Sequence, residues 1–234
     1  MGITYDFASI PGLIVRILNA LPVTLIILFS SLAISLGIGA LVAAGSMGQK
    51  KGLQGFCRGW IAFMRGVPTL VMIFLLYLGL PQLLDPIGIH MSQWNKLFFI
   101  ITTLSLTASA NMAEMIRTSY LAVDKGQREA ALSVGMTNSM AFKRIVFPQA
   151  FGIAIPMLGN NMVALFKETS LAFTIGILDI LGRARSISSM SYGANKLEVY
   201  IASAIIYWII CVLIEQGTKA LERSYTKGRK RATA

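Results

Sequence analysis

Gly126–Ala150, GQREAALSVGMTNSMAFKRIVFPQA, is the one long polar stretch in the hydrophobic middle of this chain. Asp124-Lys125-Gly126 reads as a turn, and Gln127 to Val134 then offers good helix formers in Glu129, Ala130, Ala131 and Leu132. Glu129 is placed in the first turn, where an acid complements the helix dipole. Gly135 stops this helix, because glycine tolerates a left-handed C-terminal residue. Thr137 or Asn138 can cap a second helix, in which Lys143 and Arg144 lie at a membrane surface before Ile145 enters lipid. The expected product is a short amphipathic helix held across one face of a membrane.

Working outward, the composition supports that membrane. At 55% apolar and with only ten acids in 234 residues, the chain is richer in apolar side chains than soluble domains, which run to about 45–50%. A spanning helix needs about 20 mainly apolar residues. Five stretches qualify, at about Val23–Ala44 (or from nearer Leu13), Trp60–Leu80, Leu97–Tyr120, Ile145–Phe166 and Val199–Leu221. A polar loop with Lys50, Lys51 and Arg58 precedes the second, Pro148 and Pro156 interrupt the fourth, and 167–198 holds apolar runs too brief to cross. The chain therefore reads as an all-α integral membrane protein, one transmembrane domain over 1–234 with a cytoplasmic segment at 125–145. Fifteen of the 21 Lys and Arg fall in 46–65, 117–144 and 219–234. Cytoplasmic loops carry such an excess, so the N-terminus is expected outside and the C-terminus inside.

The same charge pattern argues against nucleic acid. The positives gather at span ends rather than on one polar face, and the tail LERSYTKGRKRATA reads as a stop-transfer segment touching anionic lipid. No cleaved signal peptide is evident, and the first span serves as its own insertion signal. Cys57 and Cys211 form no CxxC pair and His90 stands alone, so neither disulfide nor metal site is expected. The 12 methionines do not converge with Cys or His and suit packing or lipid contact, and Tyr207 and Trp208 fall deep enough in the fifth span for helix packing. No phosphate-binding loop, nucleophile elbow or zinc-protease helix is present, so any ATP-linked work belongs to a partner.

The order Glu129-Ala130-Ala131, Gly135, Ile145 and Pro148 resembles the cytoplasmic signature of the permease subunits of ATP-binding-cassette importers, with Phe147 where Leu is usual. FMRGVPTLVMIFLLYLGLPQ (63–82), AEMIRTSYLAVDKGQREAA from Ala113, FPQA from Phe147 and LFKETSLAFTIGILDI from Leu165 resemble the polar-amino-acid branch in the same order, across nearly the whole chain. Val67 and Thr69 stand where Thr and Leu are commoner. The resemblance implies the type I importer permease fold and a coupling role for Glu129, Ala130, Ala131 and Gly135. It also implies two cytoplasmic ATPase subunits carrying ATP and magnesium, a second permease copy or a related permease, and an extracytoplasmic solute-binding protein. This chain would bind no cofactor, and it would sit in the cytoplasmic membrane of a prokaryote. The opening MGITYDF is similar to cystine permeases of Gram-positive bacteria, which makes L-cystine the leading expectation among polar amino acids.

Ionisable groups within spans are costly and face a cavity or a partner. Asn111, Glu114 and Arg117 share one helical stripe at i, i+3 spacing, suited either to a self-satisfied structural pair or to a substrate pathway. Asn160 and Asn161 suit helix–helix hydrogen bonding or the same pathway. Lys167 and Glu168 could meet both ends of an amino acid only if the helix unwinds there, since neighbouring residues point about 100° apart. Glu168, where the family usually has Asp, and Glu114 are expected at the substrate's positive end. A self-sufficient secondary carrier or channel is the alternative, though no inverted repeat is visible. An intramembrane enzyme would need a catalytic set that the spans lack.

Overall fold

The computed structural model describes residues 6–192 and 195–230; the first five residues of the cystine-permease-like opening and the last four of the basic tail lie outside them. Among the described residues five helices are long and apolar enough to cross a membrane: Leu21–Met47, Thr69–Ile87, Lys96–Leu121, Asn138–Ile175 and Lys196–Tyr225. Four shorter helices accompany them. Ile10–Leu18 precedes the first span, Lys51–Gly66 leads into the second, Lys125–Ser133 follows the third, and Ile180–Met190 lies between the fourth and fifth.

The third span is the centre of the molecule because its side chains are small and internally satisfied. Thr103 donates to the Phe99 carbonyl (2.8 Å), Ser105 to Ile101 (2.6 Å), Thr107 to Thr103 (3.0 Å) and Ser109 to Leu106 (2.6 Å). Hydroxyls bonded back into their own helix leave a polar sequence with a nearly apolar surface, against which a neighbour packs closely in lipid. The first span does so at Gly39, where an added Cβ would lie 2.6 Å from Met112 Cβ and 3.0 Å from the Ala113 backbone nitrogen. The fourth and fifth spans meet similarly where Gly159 faces Thr218, and Tyr225 ties the start of the fourth to the end of the fifth by donating to the Pro148 carbonyl at 2.9 Å.

The structure moves several expected boundaries. The second span begins at Thr69, not Trp60, and the expected polar loop is an amphipathic helix running to Gly66. Val67 and Pro68 are extended (ψ 129° and 134°), because a residue before proline avoids the helical region and proline offers no N–H. The first span is Leu21–Met47 with a separate helix before it, since Pro22 suits a helix's first turn. The fourth is not broken at its prolines. A wide π turn at Phe142–Val146 absorbs Pro148, a second at Leu75–Gly79 precedes Pro81 in the same way, and Pro156 lies inside a continuing helix. In the fifth span Tyr207 packs against Phe166 (ring centroids 5.2 Å apart), while Trp208, expected in a helix contact, is 68% exposed.

Candidate functional site: a polar chain of cavities from the hairpin to mid-span

The polar hairpin is built by local sequence. Its first helix starts at Lys125, two residues before the expected start, because the Asp124 carboxylate accepts from the Gly126 N–H at 2.7 Å. Glu129 consequently sits in the second turn, and Asp124 supplies the N-terminal acid. Gly135 adopts φ +86°; its N–H reaches the Leu132 carbonyl (3.0 Å) and that of Met136 reaches Ala131 (3.1 Å), the paired bonds of a glycine-terminated helix. Thr137 caps the second arm by accepting from Met140 N–H at 3.3 Å, and Arg128 donates to Asn138 Oδ1 at 2.9 Å to hold the arms together. Glu129, Ala130 and Gly135 are exposed, whereas Ala131 is buried against the chain itself.

A cavity of about 320 Å³ lies between this hairpin and the end of the third span, lined by Tyr120, Leu121, Asp124, Arg128, Glu129 and Leu132 among others. Tyr120 and Leu121 also border a larger cavity of about 730 Å³, with Arg58, Ala62, Arg65, Glu114 and Arg117. There Arg117 grips Glu114 through two bonds, Nε to Oε2 at 3.0 Å and Nη2 to Oε1 at 2.5 Å. Arg65 in turn borders a third cavity, of about 370 Å³, at the Gly66–Pro68 break, with Thr69, Thr107, Asn111 and Glu168. Thr69 is a hydrogen-bond partner of Glu168. The spacing of Thr107, Asn111, Glu114 and Arg117 places them along one face of the third span, opposite Arg58 and Arg65 on the amphipathic helix.

The remaining expected residues do not join this series. Lys167 is exposed and lines none of these cavities, because the helix stays regular through Glu168 and tightens only from Thr169; the unwinding that would bring Lys167 and Glu168 onto one ligand is absent. Glu114 and Glu168 border different cavities, so they do not converge on one charge. Asn161 directs its amide at the sulfurs of Met112 and Met115, at 3.9 and 3.7 Å. Asn160 borders a separate cavity between the fourth and fifth spans with Glu215 and Lys219. The two cysteines are free and buried, and no metal-ligand cluster occurs among the described residues.

Sequence reasoning passed over Arg58, Arg65, Thr69 and Thr107. Arg65 stood in a quoted motif, and its seven-residue spacing from Arg58 was a readable signal for one helix face. Asp179 was also missed. Fully buried, it accepts from the N–H groups of Leu181 (3.2 Å) and Gly182 (2.9 Å) at the start of Ile180–Met190, with the Tyr207 hydroxyl 3.5 Å away. Burial pushes its carboxyl up to about 6 despite those bonds.

Spans packed round a small-residue helix, a polar hairpin on one face and cavities with mixed charge define a membrane transport component. The sequence matches the binding-protein-dependent transport system inner membrane component family over residues 35–227, and the chain belongs to that family. It is 37% identical to the L-cystine transport system permease protein TcyL of Bacillus subtilis (strain 168), over 97% of this chain and 94% of that one. It is 30% identical to the histidine/lysine/arginine/ornithine transport system permease protein HisQ of Escherichia coli (strain K12), over 92% and 96%. A crystal structure of an amino acid ABC transporter with histidines superposes with a TM-score of 0.82 at 31% identity, covering 94% of this chain and 99% of that one. Inward-facing MetNI methionine ABC transporter shares the fold at a TM-score of 0.69 and 18% identity, over 91% and 96%. The fold is that of the type I importer permeases, and the chain is a transport component, not an enzyme.

Proposed function

We propose that this chain forms the membrane pathway of an ATP-driven importer for polar amino acids, with L-cystine the leading substrate. The observation that carries this reading is the cavity at the Gly66–Pro68 break, where Arg65 and Glu168 face a common space with Asn111, Thr69 and Thr107. A free amino acid carries a carboxylate and an ammonium, and in a low-dielectric span both need a charged or hydrogen-bonding partner. Arg65 suits the carboxylate as a fork of donors, and Glu168 suits the ammonium. The family relationship and the relatives' named substrates support the class; TcyL is a cystine permease by name and HisQ a permease for histidine and basic amino acids.

The energy enters through the hairpin. Its exposed Glu129, Ala130 and Gly135 form the surface offered to one of two cytoplasmic ATPase subunits, which hold ATP and magnesium, while buried Ala131 fixes that surface to the chain. Movement of the hairpin acts on Tyr120 and Leu121, then on Glu114 and Arg117, then through Arg65 on the cavity at mid-span, because successive cavities share those residues. A second permease chain and an extracytoplasmic binding protein complete the assembly, with the N-terminus outside and the C-terminus in the cytoplasm of a prokaryotic cell.

The test is substrate-stimulated ATP hydrolysis by the complex reconstituted with its ATPase and binding protein. Gly135→Trp and Glu129→Arg should abolish stimulation while the permease still folds, and Glu168→Gln should raise the substrate concentration needed by about tenfold or more. Native stimulation in all three variants would refute both assignments. A melting shift of the binding protein against the twenty amino acids and cystine names the substrate.

A further inference from the structure

The cavity of about 730 Å³ is more basic than a passage for a neutral zwitterion requires. Three guanidiniums, from Arg58, Arg65 and Arg117, face one carboxylate, Glu114, which is already gripped by Arg117. Arg58 and Arg65 are exposed and make no ion pair among the described residues. Arg65 acts on Glu114 only through space, and two guanidiniums without a close ion pair, on one helix face seven residues apart and bordering the same cavity, favour an oxyanion between them. We infer that this cytoplasmic vestibule is a second amino-acid station, which takes the carboxylate of the imported amino acid on Arg58 and Arg65 and its ammonium on Glu114, and through which cytoplasmic product slows further import. This rests on the proposed import of amino acids.

Three features select that occupant. Arg65 borders both cavities, so a carboxylate can pass from the mid-span site to the vestibule without losing its cationic partner. A carboxylate among the guanidiniums opposes a lipid phosphodiester, which has two singly bonded oxygens to place and, in the commonest anionic lipids, no ammonium to offer Glu114. A volume of about 730 Å³ accommodates an amino acid with its hydrating water. Product entering from the cytoplasm would occupy Arg65 and deny it to the next substrate. The Glu114–Arg117 pair also gains a function beyond its own stability, since an arriving ammonium competes with Arg117 for Glu114.

The experiment places a reporter thiol at Ala62, which is exposed and borders the vestibule. The Ala62→Cys permease, assembled with its ATPase in nanodiscs, is labelled with sulfonatoethyl and with trimethylammonioethyl methanethiosulfonate. Its two native cysteines are buried, and the parent protein sets the background. Relative to a free thiol, the anionic reagent should be favoured by about fivefold or more, and Arg58→Gln should remove most of that preference. Millimolar L-arginine should slow labelling about threefold, whereas argininamide, which lacks the carboxylate, should not. Absence of a charge preference, equal protection by the amide, or protection that follows phosphatidylglycerol content instead of amino acid would each overturn the proposal. Uptake of labelled amino acid by the same complex separates the two readings. Uptake without protection removes the station and leaves the permease, and loss of both removes the two together.

Discussion

The second and third spans are both apolar and both long enough to cross a membrane, yet 61% of the third span's apolar stretch is buried and 11% of the second's. Hydropathy does not account for the difference, since the fourth span has the third's mean hydropathy of 1.3 and is only 22% buried. Side-chain size and hydroxyl content do, for the third span presents Ser105, Thr107, Ala108 and Ser109, whereas the second turns Leu75, Leu78 and Leu83 outward at 53–75% exposure. In lipid, apolar bulk alone gives two helices little reason to associate, and close packing of small residues does. One side of this chain is therefore internally complete. In the proposed assembly, the open side carries the second span and the amphipathic helix that border its substrate cavities.

The largest expected effect tests the packed side. Asp179 is buried with a carboxyl pushed up to about 6. A raised acid stabilises the fold fully below the unfolded value near pH 4, and that contribution is lost as pH rises through about 6. Wild-type stability relative to Asp179→Asn should fall by roughly 3 kcal/mol between pH 3 and pH 8, read from thermal unfolding in lipid nanodiscs. A flat difference would show that Asp179 is not desolvated there.

Next in size is Gly39→Ala, which forces a methyl against Met112 and the Ala113 backbone and should cost about 1–3 kcal/mol. For Gly159→Ala the three nearest atoms all belong to the Thr218 side chain, its Cβ included at 2.8 Å, so Thr218→Gly should recover much of the cost, whereas the backbone atoms against Gly39 allow no such rescue. Equal rescue at both would dissolve the distinction between backbone and side-chain packing. Gly135→Ala has open space around it and only its φ of +86° to offend, so it should cost about 1 kcal/mol of hairpin stability by hydrogen exchange. Smallest of all, Leu83→Ala on the exposed second span should change the isolated chain's stability by less than about 0.5 kcal/mol. A larger loss there would mean that the second span is already packed.

Much of the fold was legible because lipid enforces long helices: all five spans, the hairpin and its Gly135 stop follow from apolar length and turn chemistry. What stayed hidden was relational. Nothing in the sequence distinguishes a proline that ends a helix, as at Pro68, from those absorbed by a π turn, as at Pro81 and Pro148. Helical spacing did place Asn111, Glu114 and Arg117 on one stripe, but not the amphipathic helix opposite them, so Arg58 and Arg65 were counted as surface charge. Adjacency in sequence misled at Lys167 and Glu168, which a regular helix turns apart.

The central claim is that this chain moves amino acids only under the drive of a partner's ATP hydrolysis. Uptake of labelled L-cystine, L-arginine and L-histidine into proteoliposomes should be compared for the chain alone under sodium or proton gradients and for the chain with its ATPase, binding protein and ATP. The account predicts accumulation of at least one of them only in the complete, ATP-supplied system. Gradient-driven accumulation by the chain alone would contradict it.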